Sequence, residues 1–353
     1  MKTKLMKAVG RMPEDEDVMQ EASRIISSGG LVAIPTETVY GLAGNALDPS
    51  SSKKIYAAKG RPSDNPLIVH IADINDMNII ACDIPEKAFT LAEKFWPGPL
   101  TMILKKTDAV PFETTGGLDT VAVRMPSDEI AHEFIRLCGP FIAAPSANAS
   151  GRPSCTTAEH VIEDLDGKIG LVIDGGQVGI GLESTIIDLT GDIPCLLRPG
   201  YISKDELEKT IGPIDVDPAV YNKNKKDIPP KAPGMKYRHY APKGELSIVD
   251  GPVENVISYI NEECRKVSGS GKKCAVLATR ETCRSYRCSL VIDLGNRDDE
   301  DAVSHNLFSS LRRCDEEGID VIFSEAFEDS GLGSAIMNRL LKAAGNRVIN
   351  LPG

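Results

Sequence analysis

Short apolar runs of strand length recur along this chain with amphipathic helical stretches between them, and that alternation limits the fold to a sheet covered by helices. In residues 14–28, Val18, Ala22, Ile25 and Ile26 share one helical face, and Gly29-Gly30 closes the helix. Residues 31–34 follow as a buried strand and run into the polar turn Pro35-Thr36-Glu37-Thr38-Val39-Tyr40-Gly41-Leu42. The spacing then predicts helices over 50–58, 86–95 and 127–137. Strands are expected at 67–71, 100–104, 120–124, 141–144, 170–173, 184–189 and 194–197. Several of these strands follow one another with no helix between, which a purely parallel sheet does not allow. The expectation is α/β with a twisted mixed open sheet, whose strand ends are where ligands collect in such folds.

Residues 222–244 break the alternation. The stretch holds four prolines and many lysines and offers little apolar area to bury, so it reads as an extended connector. Its middle, 232–242, also carries Met235, Lys236, Tyr237, Arg238, His239 and Tyr240, side chains a plain spacer does not need. A solvated linker and a segment packed on a site both fit. From 245 the pattern restarts, with strands at 246–249, 274–278, 321–323 and 348–351 and helices at 252–266, 302–316 and 333–344. This predicts a first domain over 14–203, a connector over 204–244 and a smaller Rossmann-like α/β domain over 245–353.

At 353 residues the chain is long enough to bury a core without staples, and its formal charge of -11 argues against binding long nucleic acid by attraction alone. The nine cysteines are scattered and none forms a CxxC, so they read as reduced, small apolar residues. Cys283 and Cys288 lie close in sequence with Cys274 nearby, but no histidine cluster accompanies them, and no metal site is expected there. The N-terminus has no apolar stretch of signal-peptide length and no segment reaches the ~18 apolar residues of a membrane span, so a cytoplasmic location is expected.

No standard nucleotide signature is present. Gly271-Lys272 is followed by Lys273 rather than Ser or Thr, and Gly331-Leu332-Gly333 lacks the third glycine of a dinucleotide fingerprint. Polar clusters at strand ends are present instead. Lys59-Gly60-Arg61-Pro62 sets two cations around a glycine, suited to a polyphosphate or to an ordinary solvated turn. Arg124 ends the apolar strand Thr120-Val121-Ala122-Val123, where it suits a carboxylate or a structural salt bridge. The run from Ala143 to Gly151 offers hydroxyls, an amide and backbone N–H groups. Glu183-Ser184-Thr185 and Arg198-Pro199-Gly200 repeat the theme.

Taken in order, PTETVYGL, KGRPSDNPLIVHI, FWPGPLT, VAVRMP, PSANASGRPS, ESTIIDL and LRPG resemble the YrdC-like family of threonylcarbamoyl-AMP synthases. APGMKYRHYAP and GLGSAIMNRLLKAA resemble its long form with an extra C-terminal domain. Ala232 stands where that family commonly has serine. The resemblance implies a nucleotidyltransferase that joins L-threonine, bicarbonate and ATP, with Mg2+, into L-threonylcarbamoyl-AMP and pyrophosphate. The product would pass to a tRNA threonylcarbamoyl-transferase complex that modifies tRNA at position 37. It also implies that Thr38, His70, Arg124, Ala144 and Ser184 hold threonine. Lys59, Arg61, Asn65, Thr120, Ser146, Asn148, Ser154 and Arg198 would line the ATP and bicarbonate site, with Lys59 and Arg61 catalytic. Tyr237, and His239 beside it, would close over the nucleotide. Glu37 would meet Mg2+ or join a polar network. The rival expectations are a non-catalytic module that binds double-stranded RNA or the ribosome, which the charge of -11 weakens, and a carbamoyltransferase for another acceptor, which the missing CxxC clusters weaken.

Overall fold

The structure is a computed structural model that describes residues 2–139, 141–220, 232 and 239–353. It divides into two compact units. Among the described residues the first holds 2–139, 141–150, 154–220 and 232, and the second holds 151–153 and 239–353. Tyr237, expected to close over the nucleotide, lies outside the described residues.

The first unit is built on one sheet. Its strands are β1 (Lys4–Lys7), β2 (Val32–Ile34), β3 (Gly41–Asn45), β4 (Ile68–His70), β5 (Ala81–Cys82), β6 (Leu100–Lys106), β7 (Thr120–Arg124), β8 (Ile142–Ala143), β9 (Leu171–Asp174), β10 (Thr185–Asp188), β11 (Cys195–Arg198) and β12 (Asp215–Val216). They lie in the order β1-β9-β2-β3-β8-β4-β7-β6-β10-β11-β12, with β5 paired to β6. Parallel pairs such as β4 with β7 stand beside antiparallel pairs such as β6 with β7, so the sheet is mixed as expected.

Successive side chains of a strand face opposite ways, and here both faces are covered. Leu31 and Ala33 pack into one apolar cluster together with Leu42, Val69, Val121 and Val123. Val32 and Ile34 pack into another, against Val18, Ala22, Ile25 and Ile26 of the helix Glu16–Ser27. Burial on both faces is why these strands read as continuous apolar runs. A third cluster joins Ile68, Ile103, Ala122, Ile186 and Leu197, from five adjoining strands, and Ala232 from the connector lies fully buried in it.

Four strands of this unit, β1, β3, β5 and β12, were not foreseen. β1 has the sequence Lys-Leu-Met-Lys and runs parallel to β9 at the sheet's margin, where its charges suit an edge but hide the apolar signal. β3 takes up Gly41 and Leu42, the end of the expected polar turn, and runs on to Asn45; its glycines hide the strand. An added Cβ at Gly44 would lie 2.5 Å from Ser51 Oγ, so the glycine lets the helix Pro49–Lys59 lie close on the strand. The stretch expected to begin the connector holds the helix Lys204–Ile211, with a complete capping box at Ser203 and Glu206, and then β12.

The second unit has five parallel strands: β13 (Glu245–Asp250), β14 (Cys274–Ala278), β15 (Leu290–Asp293), β16 (Val321–Glu325) and β17 (Val348–Asn350). Their order is β15-β14-β16-β13-β17, which places the fourth strand between the first two. Gly331 has φ +53° and an added Cβ at Gly333 would lie 2.2 Å from the Glu328 carbonyl. Tight packing at the start of the helix Gly333–Ala343 accounts for that glycine pair. Among the described residues no helix is long and apolar enough to cross a membrane.

Candidate functional site

The site grows from the register of five strands. His70 is the register partner of Arg124, and Arg124 is the partner of Thr101. Thr185 pairs with Leu100 and Ile186 with Arg198, which brings Ser184 and Arg198 into the same row. By strand alternation, Arg124 and Thr120 share the sheet face of Ala122, while His70 shares the face of Ile68 and Thr101 that of Ile103. Those three apolar residues belong to the cluster that buries Ala232. One sheet face therefore carries a row of polar side chains at one end of an apolar patch, with a connector residue seated on the patch.

Arg124 organises the polar end. It is 4 % exposed. Its Nη1 donates to Thr38 Oγ1 at 2.9 Å, its Nε points at the Gly98 carbonyl at 3.4 Å, and its Nη2 lies 2.8 Å from Glu37 Oε1. Glu37 pairs with Arg124 by charge, yet neither carboxylate oxygen has a well-aligned hydrogen bond, so the pair is electrostatic rather than a bidentate fork. Thr38 is held from the other side by Thr36 Oγ1, 2.9 Å away.

His70 is buried with Nδ1 3.2 Å from the Ile68 carbonyl, so that nitrogen carries the proton. Burial first, and then the Arg124 charge, push its pKa down to about 3, against the upward pull of the Ile68 and Ile142 backbone. A ring held neutral by that shift can offer its second nitrogen to a hydrogen bond but brings no charge.

Ser184 is fixed by two neighbours. Its hydroxyl lies 2.7 Å from Thr101 Oγ1, while Arg198 donates to both the Ser184 carbonyl at 2.9 Å and the hydroxyl at 3.1 Å. Arg198, assigned in sequence to ATP, thus touches Ser184, assigned to threonine. The two sets meet at this pair. Ser154 donates to Glu183 beside it.

A second cluster stands on the helix Pro49–Lys59. Asp48 caps its first turn by accepting from the Ser50 N–H, Pro49 opens it, and Gly60 closes it with φ +62°. That end places Lys59, buried at 4 % exposure, so that its ammonium donates to the carbonyls of Ser146 and Asn148. The Ser146 hydroxyl donates to Asn148 Oδ1 at 2.6 Å, and the Ser150 N–H returns to the Lys59 carbonyl at 2.8 Å. Just past the helix, Arg61 donates to the Asn65 carbonyl at 3.2 Å and the Pro66 carbonyl at 2.9 Å. The Asn65 side-chain oxygen is buried without a hydrogen bond. An acceptor left without a donor in a buried place is a vacancy that a ligand's N–H can fill.

Backbone bonds stitch these loops together. The Tyr40 N–H donates to the Cys155 carbonyl at 2.9 Å, the Ala147 N–H to Tyr40 at 2.7 Å and the Leu42 N–H to Pro145 at 2.7 Å. Ala144 is buried, its N–H bonded to the Ile68 carbonyl at 3.0 Å. An added Cβ on Gly41 would lie 3.2 Å from Ala144 Cβ, so glycine lets the two loops close together. Thr120 begins β7, whereas Arg124 ends it, a separation of ~13 Å at strand rise. Of the residues assigned to threonine, Thr38, His70, Arg124 and Ser184 collect at one end of the face and Ala144 stands level with Ile68, while Thr120 stands at the other end. His239 lies in the second unit, its ring 5.6 Å from that of Tyr240.

This arrangement matches known proteins along its whole length. The Sua5, YciO and YrdC family, described as telomere recombination, matches residues 24–200, and the threonylcarbamoyl-AMP synthase C-terminal domain matches residues 202–345. A threonylcarbamoyl-AMP synthase of Bacillus subtilis is 48 % identical, with 99 % of this chain and 100 % of the relative covered. The chain belongs to the threonylcarbamoyl-AMP synthase family. A member from Pyrococcus abyssi is 52 % identical over 94 % of this chain and 95 % of its own. The crystal structure of P. abyssi Sua5 complexed with L-threonine superposes with a TM-score of 0.93 at 50 % identity, covering 99 % of this chain and all of that one.

Three residues of the site had no role in the sequence reading. Thr101 holds Ser184, Glu183 accepts from Ser154, and Asp164 fixes the Ser146–Ser150 loop by accepting from the Ala149 N–H at 2.9 Å. The first two stand in the threonylcarbamoyl-AMP synthase motifs FWPGPLT and ESTIIDL, so their positions were visible although their partners were not.

Proposed function

We propose that this chain converts L-threonine, bicarbonate and ATP into L-threonylcarbamoyl-AMP and pyrophosphate, as a nucleotidyltransferase. The observation that carries the reading is the burial of Lys59, Arg124 and Arg198 at 4 % exposure each, at a helix end and two strand ends of one unit, among hydroxyls and the unbonded Asn65 amide oxygen. The reactants are a carboxylate, a carbonate and a triphosphate, anions that such cations hold through charge-assisted hydrogen bonds.

In this reading the amine of threonine combines with bicarbonate to give the carbamate and water. A carbamate oxygen then attacks the α-phosphorus of ATP, and the bond to the pyrophosphate oxygen breaks. Arg124, already aimed at Thr38, takes the threonine carboxylate, and Ser184 and neutral His70 bond its remaining polar groups. Ala144 closes the wall beside them. Lys59 and Arg61 neutralise charge that develops on the phosphates, with Asn65, Thr120, Ser146, Asn148, Ser154 and Arg198 around the nucleotide. Mg2+ enters on the triphosphate as part of the substrate. Carbamates decompose in water, so positioning and exclusion of solvent matter more than a strong base. Product release to a tRNA-modifying transferase and a cytoplasmic location accompany the proposal.

Mass spectrometry after incubation with all three substrates tests it. Threonylcarbamoyl-AMP carrying label from radiolabelled bicarbonate is the expected product, absent when any one substrate is withheld. Pyrophosphate release that ignores threonine would overturn the reading.

A further inference from the structure

The second unit holds a group of side chains unconnected with this chemistry. Cys264 lies on the helix Val253–Gly269, Cys274 begins β14, and Cys288 stands two residues before β15. In sequence the three are unremarkable, 10 and 14 positions apart, and the near pair Cys283 and Cys288 is the one that draws the eye. Folding selects a different set. β14 and β15 are parallel neighbours with Ala275 opposite Leu290, which sets Cys274 and Cys288 at the same end of the sheet. The helix lays Cys264 over that end. The three sulfur atoms all lie within 4.8 Å of one another.

We infer that Cys264, Cys274 and Cys288 form a three-thiolate site for a soft, thiophilic metal ion, with Cu(I) the occupant it fits best. The spacing supports this. Three sulfurs around one ion at about 2.3 Å stand about 4 Å apart when trigonal, so the observed set needs shifts of under about an ångström to close on an ion. Cys264 and Cys274 are buried in a cluster with Val256, Ile260 and Val276, an apolar surround that disfavours hard, hydrated cations. Among the described residues no histidine, carboxylate or further thiol completes a fourth corner of this group. Three soft donors without a fourth suit a d10 monovalent ion better than tetrahedral zinc. Local hydrogen bonds fit the role as well. The Ser268 hydroxyl, 3.9 Å from Cys274 Sγ, is within reach to donate to a bound thiolate, while the Cys288 S–H that now donates to the Leu290 carbonyl gives up that bond when it loses its proton. On binding, each thiol releases its proton to solvent and donates a lone pair to the ion, so no oxidant or reductant is consumed.

The test uses the full reduced chain under anaerobic conditions, titrated with Cu(I) against a competing chelator. One Cu(I) per chain is expected, with a thiolate-to-copper charge-transfer band and a sulfur-only shell in X-ray absorption. Cys264→Ser and Cys288→Ser should each weaken binding by about 100-fold or more, whereas Cys283→Ser should leave it unchanged. Circular dichroism checks that each variant is folded, and Cys274→Ala replaces any that is not. No uptake by the folded, reduced chain would overturn the inference. So would uptake that survives loss of Cys264, Cys274 and Cys288 in turn, or a tetrahedral zinc site that outcompetes Cu(I).

Discussion

Arg124 sits where two demands conflict. It keeps Glu37 company in a buried place, and in the proposed reaction it also presents a guanidinium to the threonine carboxylate. Removing it leaves Glu37 as an uncompensated buried charge, so Arg124→Ala should lose about 3–5 kcal/mol of stability and report little about binding. Arg124→Lys keeps the charge but not the planar fork. Its threonine KM should rise about 10- to 100-fold, the worth of a charged hydrogen bond, while the ATP KM stays within about twofold. Equal effects on both would remove the carboxylate role. His70 provides a test by pH. Its folded pKa is pushed from 6.5 to about 3, so between those values the unfolded chain takes up a proton that the folded chain refuses. Stability from this residue is therefore full above pH 6.5 and falls as pH drops, by up to ~1.4 kcal/mol per unit. Urea unfolding of wild type against His70→Gln should show that slope in their difference, and a flat difference would mean that the ring is not held neutral. Motifs single out both residues, but neither the Glu37 pairing nor the depressed pKa of His70 was legible, because each depends on which neighbours the register supplies.

The elements show where the pattern of residues was sufficient and where it was not. Strands buried on both faces, such as β2 and β7, announce themselves by unbroken apolar runs. β3 does not, because Gly41 and Gly44 are there to let other parts of the chain approach, and a glycine gives no hint of what lies against it. Gly200, just past β11, is the sharpest case. An added Cβ would lie 2.4 Å from the Thr185 nitrogen and 2.7 Å from the Ser184 carbonyl carbon, both backbone atoms that cannot swing aside. The same stretch is latched by Thr185 Oγ1, which donates to the Ile202 carbonyl at 2.7 Å and accepts from its N–H at 3.0 Å. Gly200→Ala should push the exit of β11 off β10 and part Arg198 from Ser184. A loss of about 1–3 kcal/mol in urea unfolding is expected, together with a higher threonine KM. Unchanged stability would mean that the two strands can slide apart freely at this point.

At the scale of the molecule, the connector was the part of the sequence that composition described least well. Its prolines and lysines argue for a solvated spacer, and its aromatic and basic residues argue for a segment with a place on the protein. Ala232 weighs on the second side, since it is fully buried among Ile68, Ile103, Ala122, Ile186 and Leu197, on the sheet face that also carries Arg124, His70 and Thr101. The two large clusters that hold the first unit together do not include it, so this seat can be lost while the unit stays folded. Ala232→Asp is the way to lose it. A carboxylate placed in that apolar patch costs several kcal/mol unless the segment lifts off. Ala232→Ser adds one hydroxyl and should be tolerated. If the seat positions the connector over the reactants, the aspartate variant should lose about 100-fold in turnover, as misplacement by an ångström does elsewhere. Its circular dichroism should match wild type, and the serine variant should keep most activity. Turnover at the wild-type rate with Asp at this position would make the connector a tether and nothing more.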